Sequence, residues 1–369
     1  MNSETSMQTA EQRLVARIKD WTASRYIGDD CAILPGGQLV SVDSLAEGTH
    51  FSLETTSLAD LGWKAAAVNL SDIAAMAGRP RHLLISLGFP ATIVEAQIEQ
   101  FYAGFVDCAN SFRVKIAGGD LIKAPIMSIS VTVIGDAHEH GVMKRSGAKP
   151  GDVVVVTGDF GASAAGLHLL MEQQKTSGAT QFHERLAAAN ARSYCINRHR
   201  RPFPRLCESW ALNRSARGEG ALMDASDGLA DALSQIAWAS QVSIKVDLEK
   251  VPVHQETAET AKKAGIDPLD WVLYGGEDYE LVACVSEESW QKIRDANGAN
   301  NPFTAIGVVE DGFASGGTVA DNSMDLEKSV VTLMIGTTPG PQLDLRKCFQ
   351  HASPTPHSEG IHRARNSNS

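Results

Sequence analysis

The chain has 369 residues and a formal net charge of −11, from 33 lysines and arginines against 44 aspartates and glutamates. Its length favours two domains, and a hydrophobic fraction of 43% is that of an ordinary globular protein. The acidic balance argues against nucleic acid as the main partner, because phosphate backbones are bound by clustered Lys and Arg, but it is compatible with several acids placed around divalent cations.

The first half of the chain is predicted to be α+β, with antiparallel strands and helices on one side of the sheet. After a flexible lead, apolar spacing predicts an amphipathic helix over residues 11–24. Two short strands joined by a turn at Pro35-Gly36-Gly37 suggest a hairpin. The other elements of this half are a central helix within residues 60–80, a strand over 82–89, a helix over 93–112, and strands over 114–117 and 126–135.

The second half is predicted to be α/β. It opens with the β-branched run Val153–Thr157, a buried strand that glycines carry into a helix over 162–171. Further strands are expected over residues 221–227, 244–248, 281–285 and 304–309. The predicted division of the chain is a lead and helix over 1–24, a first domain over 25–148, a second domain over 149–340, and a largely disordered tail over 341–369.

The central helix carries an acid on an apolar face. Asp72 lies among Leu70, Ile73 and Met76, and it shares a helix face with Asn69, three residues earlier. A carboxylate buried there loses its hydration, so it needs a partner cation or a metal ion. The plain alternative is a helix whose single acid points to water.

Four other short stretches place acids beside glycine or serine. Asp30 follows a glycine in a tight turn, Asp43 ends an apolar strand, Asp120 follows two glycines, and Asp224 and Asp227 flank a serine. Each stretch alone could be a solvated turn. All five together are explained more economically by a shared cluster of Mg²⁺ ions that holds polyphosphate.

Two residues offer contacts to phosphate. Ser226 is expected to cap the helix that follows it, and a helix N-terminus attracts phosphate through its free N–H groups. Arg145 lies in a loop and suits a nucleotide phosphate, with a surface arginine as the alternative. The chain has neither G-x-x-x-x-G-K-[ST] nor H-R-D with a later D-F-G, which excludes P-loop proteins and the protein-kinase type.

Two further stretches are candidates for a substrate contact. His50 lies in a predicted loop, where it could be structural or could face a substrate. Glu277, Asp278 and Glu280 follow two glycines at the start of a strand and are expected to form a polar mouth on the second domain. A surface turn is the alternative for these three acids.

The remaining features of the sequence concern the compartment. The six cysteines are scattered without a C-x-x-C pair, so a disulfide framework or a zinc site is not expected and a reducing cytoplasm fits best. The polar N-terminus lacks a signal-peptide core, and no run approaches the ~18 apolar residues of a membrane span. We therefore expect a cytoplasmic protein without membrane partners.

These stretches occur in the order seen in the thiamine-monophosphate kinases, which the chain resembles from about Tyr26 to Val285. The segments that carry the resemblance are IGDDCAIL, VSVDSLAEGTHF, GWKAAAVNLSDIAAMAG, GGD, RSGAKPGDVVVVTGDFGASAAGL, MDASDGLADAL and YGGEDYEL. The resemblance implies the two-domain fold of the aminoimidazole ribonucleotide synthetase-like superfamily. In that fold the N-terminal domain binds ATP and Mg²⁺ and pairs its strands across a homodimer, while the C-terminal domain is α/β.

The resemblance also implies roles for individual residues. The implied Mg²⁺ ligands are Asp30, Ser41, Val42 through its backbone, Asp43, Asp72, Asp120, Asp224 and Asp227. The implied ATP contacts are Gly119, Asp120, Arg145 and Ser226, and the implied contacts to thiamine monophosphate are His50, Glu277 and Phe349. Catalysis is expected to depend on Asp72, Asp43 and Asp120.

Three positions depart from the family pattern. Val42 stands where the family usually has Thr, which is harmless if only its carbonyl binds. Leu121-Ile122 follow the Gly-Gly-Asp stretch where the family often has Thr, so a hydroxyl contact is lost there. Phe349 is taken as the closing aromatic residue of the family on a loose alignment.

The implied reaction is direct, in-line transfer of the γ-phosphoryl group of ATP to thiamine monophosphate, which gives thiamine diphosphate. The attacking phosphate is already largely ionised at neutral pH, with a second pKa near ~6, so no general base is required. One alternative is another ATP-using member of the superfamily with a different small substrate. The other is a non-catalytic protein that binds Mg-nucleotide.

Overall fold

The computed structural model describes residues 10–176, 193–298, 301–312 and 330–348. Within these ranges the chain forms a five-stranded and a seven-stranded sheet, each with helices packed on it. This arrangement confirms the predicted fold class of an α+β half followed by an α/β half. Residues 1–9 of the predicted lead, most of the predicted tail and Phe349 lie outside the described residues.

The five-stranded sheet has the order β1-β2-β5-β3-β4. Its elements are α1 (Ala10–Thr22), β1 (Ala32–Leu34), β2 (Gln38–Ala46), α2 (Leu58–Ala75), β3 (Arg79–Phe89), α3 (Glu95–Ser111), β4 (Lys115–Lys123) and β5 (Ser128–Asp136). The strands β1 and β2 pair antiparallel, which confirms the predicted hairpin. Only β3 and β4 pair in parallel, so the sheet is mixed.

The seven-stranded sheet has the order β12-β11-β8-β10-β6-β9-β7. Its strands are β6 (Val153–Thr157), β7 (Ala221–Asp224), β8 (Ser243–Asp247), β9 (Leu281–Val285), β10 (Phe303–Glu310), β11 (Val331–Ile335) and β12 (Thr338–Pro339). Its helices are α4 (Ala162–Thr176), α5 (Tyr194–Arg200), α6 (Leu206–Ala216), α7 (Leu229–Ser240), α8 (Gln255–Ala264), α9 (Pro268–Tyr274) and α10 (Glu287–Asn297), with 3₁₀ turns at Leu248–Lys250 and Leu345–Lys347. The strands β11 and β12 were not among the predicted elements, which end at residue 309.

The central helix α2 is held tightly from both sides. Ser57 caps its N-terminus by accepting the Asp60 N–H, and α2 contacts β2 and β5 of the first sheet as well as β7 of the second. Glycines allow α3 to approach closely, since a Cβ on Gly104 would lie 1.8 Å from the Ala59 carbonyl oxygen and one on Gly62 would lie 2.0 Å from that of Phe101. The side chains of α2 are thereby fixed at the junction of the two sheets.

The Gly-Gly-Asp stretch lies within a strand. The sequence predicts a strand that ends at residue 117, but β4 continues to Lys123 because it pairs with β3 along its whole length. Every residue of β4 is exposed, as expected of a strand at the edge of a sheet. A side chain at Gly119 is excluded, because its Cβ would lie 1.9 Å from the Ile85 carbonyl oxygen.

Two findings concern the ends and the surface of the chain. Residues 341–348 pack Leu343, Leu345 and Cys348 into the core of the second sheet, so the first part of the predicted tail is ordered. Among the helices of the described ranges, none has the length and apolar character needed to cross a membrane.

Candidate active site

Three aspartates from distant parts of the chain meet where the two sheets join. One carboxylate oxygen from each of Asp30, Asp72 and Asp224 lies within 4.8 Å of the other two. Asp30 precedes β1, Asp72 lies on α2, and Asp224 ends β7. Three of the five predicted acidic stretches therefore share one point in space.

Neighbouring side chains orient this cluster. Ser41 Oγ on β2 donates to Asp72 Oδ2 at 2.6 Å, and Ser71 Oγ on α2 donates to Asp224 Oδ2. The Asp43 N–H donates to Asn69 Oδ1 at 3.1 Å. Because Asn69 and Asp72 both contact β2, the predicted shared helix face is confirmed.

The charges of the cluster oppose one another. Burial raises the pKa of Asp72 well above its ordinary value, and the nearby carboxylates of Asp43, Asp224 and Asp30 raise it further. Burial, followed by Asp30, raises the pKa of Asp224 to about 7. Burial and Asp231 likewise raise the pKa of Asp227 well above its ordinary value. Buried carboxylates that repel one another form a donor set that fits a hard divalent cation such as Mg²⁺.

This electrostatic conflict predicts a pH-dependent effect of Mg²⁺. Because the pKa of Asp224 is about 7 in the folded chain and 3.8 ordinarily, the metal-free protein should lose stability as the pH rises between these values. Mg²⁺ displaces the proton, so its affinity should rise by up to about tenfold per pH unit below 7. In thermal melts, the gain in midpoint from Mg²⁺ should be larger at pH 8 than at pH 6.

The control for this experiment is NaCl at matched ionic strength, which screens surface charges without coordinating carboxylates. It should reproduce little of the Mg²⁺ effect. An equal gain from Mg²⁺ at both pH values would contradict a proton-linked metal site.

Arg145 pairs with one of the clustered acids. Its Nη2 lies 2.7 Å from Asp30 Oδ1 and its Nε lies 3.2 Å from Asp30 Oδ2, so the contact is bidentate. Nη1 donates to Gln235 Oε1 on α7, whose amide in turn donates to Asp231 at 2.5 Å. The guanidinium of Arg145, which is predicted to contact ATP, is therefore already held beside the cluster.

This network includes residues that sequence reasoning missed. Asp231 and Gln235 are four residues apart and so share a face of α7, which is the only sequence signal they carry. Gln12 Nε2 on α1 donates to Asp231 Oδ1 at 2.6 Å. No local pattern indicates that α1 reaches the second half of the chain.

The predicted cap at Ser226 is wrong. The N-cap of α7 is Gly228, whose φ is 106°. A side chain is excluded there by the Leu273 carbonyl oxygen, which would lie 2.6 Å from a Cβ. Ser226 precedes this bend, and its carbonyl accepts the Glu277 N–H at 2.6 Å. Ser226 thus links the strand end that carries Asp224 to the loop that carries Glu277.

Glu277 is the one partly exposed acid of its loop. Its Oε1 lies 2.6 Å from Lys64 Nζ, its Oε2 lies 3.4 Å from His199 Nδ1, and its side chain is 25% exposed. Asp278 and Glu280 are buried. The expected polar mouth of three acids therefore presents a single carboxylate.

The two buried acids hold the loop in place. Asp278 accepts the Gly161 and Ser163 N–H groups at 2.7 and 2.9 Å, at the start of α4. Glu280 accepts from Arg205 at 2.6 and 2.7 Å and from Arg198 at 2.6 Å. These contacts anchor the loop on both sides of Glu277.

Two other predicted residues, Val42 and His50, place no side chain in the cluster. The Val42 side chain is 60% exposed on the outer face of the sheet, so it leaves the backbone as the available metal ligand. His50 lies in the turn after β2, and its Nδ1 accepts the Ala46 N–H at 3.0 Å.

Asp120 lies apart from the other acids. Across the sheet, Asp43 pairs in register with Val131, Val131 with Ile85, and Ile85 with Gly119. Gly119, the neighbour of Asp120, therefore lies three strand spacings from Asp43, or about 14 Å.

Asp120 also belongs to the opposite face of the sheet. It continues the row Ser44, Ser130 and Ser86, in which the first two hydroxyls lie 2.5 Å apart on the exposed face. One chain therefore does not bring Asp120 to the cluster of Asp30, Asp72 and Asp224.

Comparison with known proteins agrees with this architecture. The chain matches the AIR synthase related protein N-terminal domain over residues 28–137 and the corresponding C-terminal domain over residues 149–320. It is 38% identical over 291 residues to the thiamine-monophosphate kinase of Bacillus subtilis (strain 168), a match that covers 77% of this chain and 85% of that protein.

Solved structures agree as well. Thiamine monophosphate kinase from Aquifex aeolicus is 32% identical with a TM-score of 0.70, over 84% of this chain and 96% of that one. AaThiL complexed with AMPPCP and TMP is 32% identical with a TM-score of 0.71, over 85% of this chain and 93% of that one. The chain belongs to the thiamine-monophosphate kinase family of enzymes, which is built from the two AIR synthase related domains.

Proposed function

We propose that this protein transfers the γ-phosphoryl group of ATP to thiamine monophosphate and releases thiamine diphosphate and ADP. The observation that carries the proposal is the cluster of Asp30, Asp72 and Asp224, in which one carboxylate oxygen of each lies within 4.8 Å of the others, beside a loop that presents one carboxylate. Membership of the family supports it, as does the similarity to a protein that binds AMPPCP and TMP.

Mg²⁺ would be held by Asp30, Asp72 and Asp224, with Asp43 and Asp227 close enough to influence their charge. Ser41 and the Val42 carbonyl are further candidate ligands on β2. The ions would supply positive charge that screens two anionic phosphates from each other.

The chain itself contributes position rather than proton transfer. The acceptor is a phosphate oxygen that is already ionised, so no side chain needs to act as a base. The donors Ser41 and Ser71 hold the carboxylates, and the packing of α2 against both sheets holds the donors. In-line transfer between two bound phosphates depends on such fixed geometry.

The cationic ring of thiamine would meet Glu277. This carboxylate is partly exposed at the junction of the two halves, while the other acids of its loop are buried. His50 and Phe349 stay predictions as substrate contacts, and Gly119, Arg145 and Ser226 as ATP contacts.

The active form is proposed to be a homodimer in which Asp120 serves the site of the second copy. Asp120 lies about 14 Å across the sheet from Asp43, and it continues an exposed row of the outer face. Leu121 and Ile122, at 58% and 48% exposure, add apolar surface to the same edge strand. A second copy packed on this face would cover these residues and bring its own Asp120 near β2.

Mixed subunits test this arrangement. Asp72→Asn and Asp120→Asn should each be inactive alone, but co-refolded together they should recover about a quarter of wild-type turnover, because half of the dimers contain one site with both acids intact. Light scattering gives the oligomeric state in the same samples. A mixture that stays inactive while forming dimers would place Asp120 in the site of its own chain, and an Asp120→Asn variant that keeps its turnover alone would place Asp120 outside any site.

The compartment is proposed to be the cytoplasm. All six cysteines are free, five of them buried and Cys207 exposed. A reducing environment preserves thiols in this state.

The direct test of function is the formation of thiamine diphosphate from purified protein, thiamine monophosphate, ATP and MgCl₂, followed by chromatography. Product should appear stoichiometrically with ADP and only when Mg²⁺ is present. ADP release that depends on a different phosphorylated acceptor would assign another reaction of the superfamily. ATP binding without turnover would identify a non-catalytic nucleotide-binding protein.

A further inference from the structure

A buried lysine connects the metal cluster to the substrate loop. Lys64 lies on α2 among alanines and is 2% exposed, yet it carries an ammonium group that needs a compensating anion when it is buried. Its partner is Glu277, 2.6 Å away in the second half of the chain. The ion pair therefore spans the junction at which the site is built.

We propose that Lys64 is a positioning residue that holds the Glu277 carboxylate in place for the cationic ring of the substrate. Through Glu277 it would determine the preference for a phosphate ester with a positive ring over an uncharged one. This inference rests on the proposed function and adds to it a residue that lies outside the acid cluster.

Contacts of its own hold the backbone of Glu277, separately from the ion pair of its side chain. Its φ is 70°, in the left-handed region that costs energy for a residue other than glycine. The Glu277 N–H donates to the Ser226 carbonyl at 2.6 Å, and Gly276 leaves no room for a Cβ, which would lie 2.6 Å from the same oxygen. With the backbone held, the contact with Lys64 fixes one of the two carboxylate oxygens.

The second oxygen faces a neutral partner. His199 Nδ1 lies 3.4 Å from Glu277 Oε2 and 3.0 Å from Ser163 Oγ. Burial and then Lys64 lower the pKa of His199 to about 3, so the imidazole is uncharged at neutral pH. Lys64 is thus the charged partner of Glu277 in this ion pair, while the partly exposed carboxylate still faces the junction.

One face of α2 contacts both the metal cluster and the substrate loop. Lys64 and Ser71 are seven residues apart, so they lie on one face of α2 and about 10 Å apart along its axis. Ser71 donates to Asp224 in the metal cluster, and Lys64 pairs with Glu277. The same helix face therefore orients the carboxylate proposed for the positive ring and the cluster proposed for the phosphate.

The test is a double-mutant cycle on steady-state kinetics. Lys64→Met should raise the KM for thiamine monophosphate about tenfold with kcat and the KM for ATP nearly unchanged, and Glu277→Gln should have a similar effect. If Lys64 acts through Glu277, the double variant should be no worse than either single variant. The double variant also leaves no buried charge unpaired, so it should fold even if Glu277→Gln, which leaves the buried Lys64 ammonium without its counterion, does not.

Three further variants and probes separate positioning from packing. Lys64→Arg should restore part of the KM, while Lys149→Met, which breaks an exposed ion pair with Glu219, should change nothing. The thiophene analogue of thiamine monophosphate lacks the ring charge. In the wild-type protein this analogue should bind more weakly than thiamine monophosphate. In Lys64→Met the ratio between the two affinities should fall about tenfold, which a general loss of packing would not produce.

Two outcomes would overturn the inference. Multiplicative effects in the double variant would mean that Lys64 contacts the substrate by itself. A fall in kcat with both KM values unchanged would mean that it acts on the chemistry. Either result is distinct from failure of the proposed function, because in that case the wild-type protein would form no thiamine diphosphate.

Discussion

Replacement of Asp72 by asparagine is expected to reduce turnover about a hundredfold or more while increasing the thermal stability of the metal-free protein. The two effects have one cause. The Asp72 carboxylate is buried beside Asp43, Asp224 and Asp30, which raise its pKa. Removing its charge relieves repulsion in the absence of metal and removes a central ligand in its presence.

The measurement pairs steady-state kinetics with thermal melts in EDTA and in MgCl₂. The matched control is Asp60→Asn on the same helix, because Asp60 pairs with Arg201 at 2.6 Å outside the cluster. This control should keep its activity and its response to Mg²⁺. An Asp72→Asn variant with near-full turnover would remove the acid cluster from the mechanism.

Replacement of Glu280 by glutamine is expected to lower the free energy of unfolding by about 3–5 kcal/mol, because it leaves buried cations without their counterion. The Glu280 carboxylate is fully buried and accepts from Arg198, Arg205 and Thr157 at 2.6 to 2.7 Å. This carboxylate raises the pKa of Arg205 above its ordinary value, against the opposing effect of burial.

Urea unfolding followed by circular dichroism would measure this loss. Glu288→Gln breaks an ion pair with Lys292 in which the glutamate is 79% exposed, and it should leave the midpoint unchanged. If Glu280→Gln shifted the midpoint as little as this control, the buried network would contribute little to holding the Glu277 loop.

Local sequence patterns were enough to predict those elements whose burial follows from their own residues. The strand Leu281–Val285 has the predicted bounds, and Val153–Thr157 is buried as its β-branched run indicates. The hairpin at the start of the first sheet follows from its turn residues. The acid on the apolar face of α2 was also evident, because a charge among aliphatic residues is costly unless it is compensated.

Other features had no local signal. The strand β4 runs through the Gly-Gly-Asp stretch because β3 pairs with it, and the cap of α7 falls on Gly228 because the α9 end blocks a side chain there. Lys64 was a detectable anomaly in an apolar helix, but its partner Glu277 is more than two hundred residues later. His199 gave no signal in the sequence.

By itself the sequence determined which residues carry charge, which segments form strands and helices, and that several acids occupy positions where water is excluded. The tertiary structure decided which of these acids meet. It joined Asp30, Asp72 and Asp224 and placed Asp120 on the far side of the same sheet. The physical reason is that periodicity reports the face on which a side chain lies, whereas strand order and the packing of α2 between two sheets determine what that face contacts.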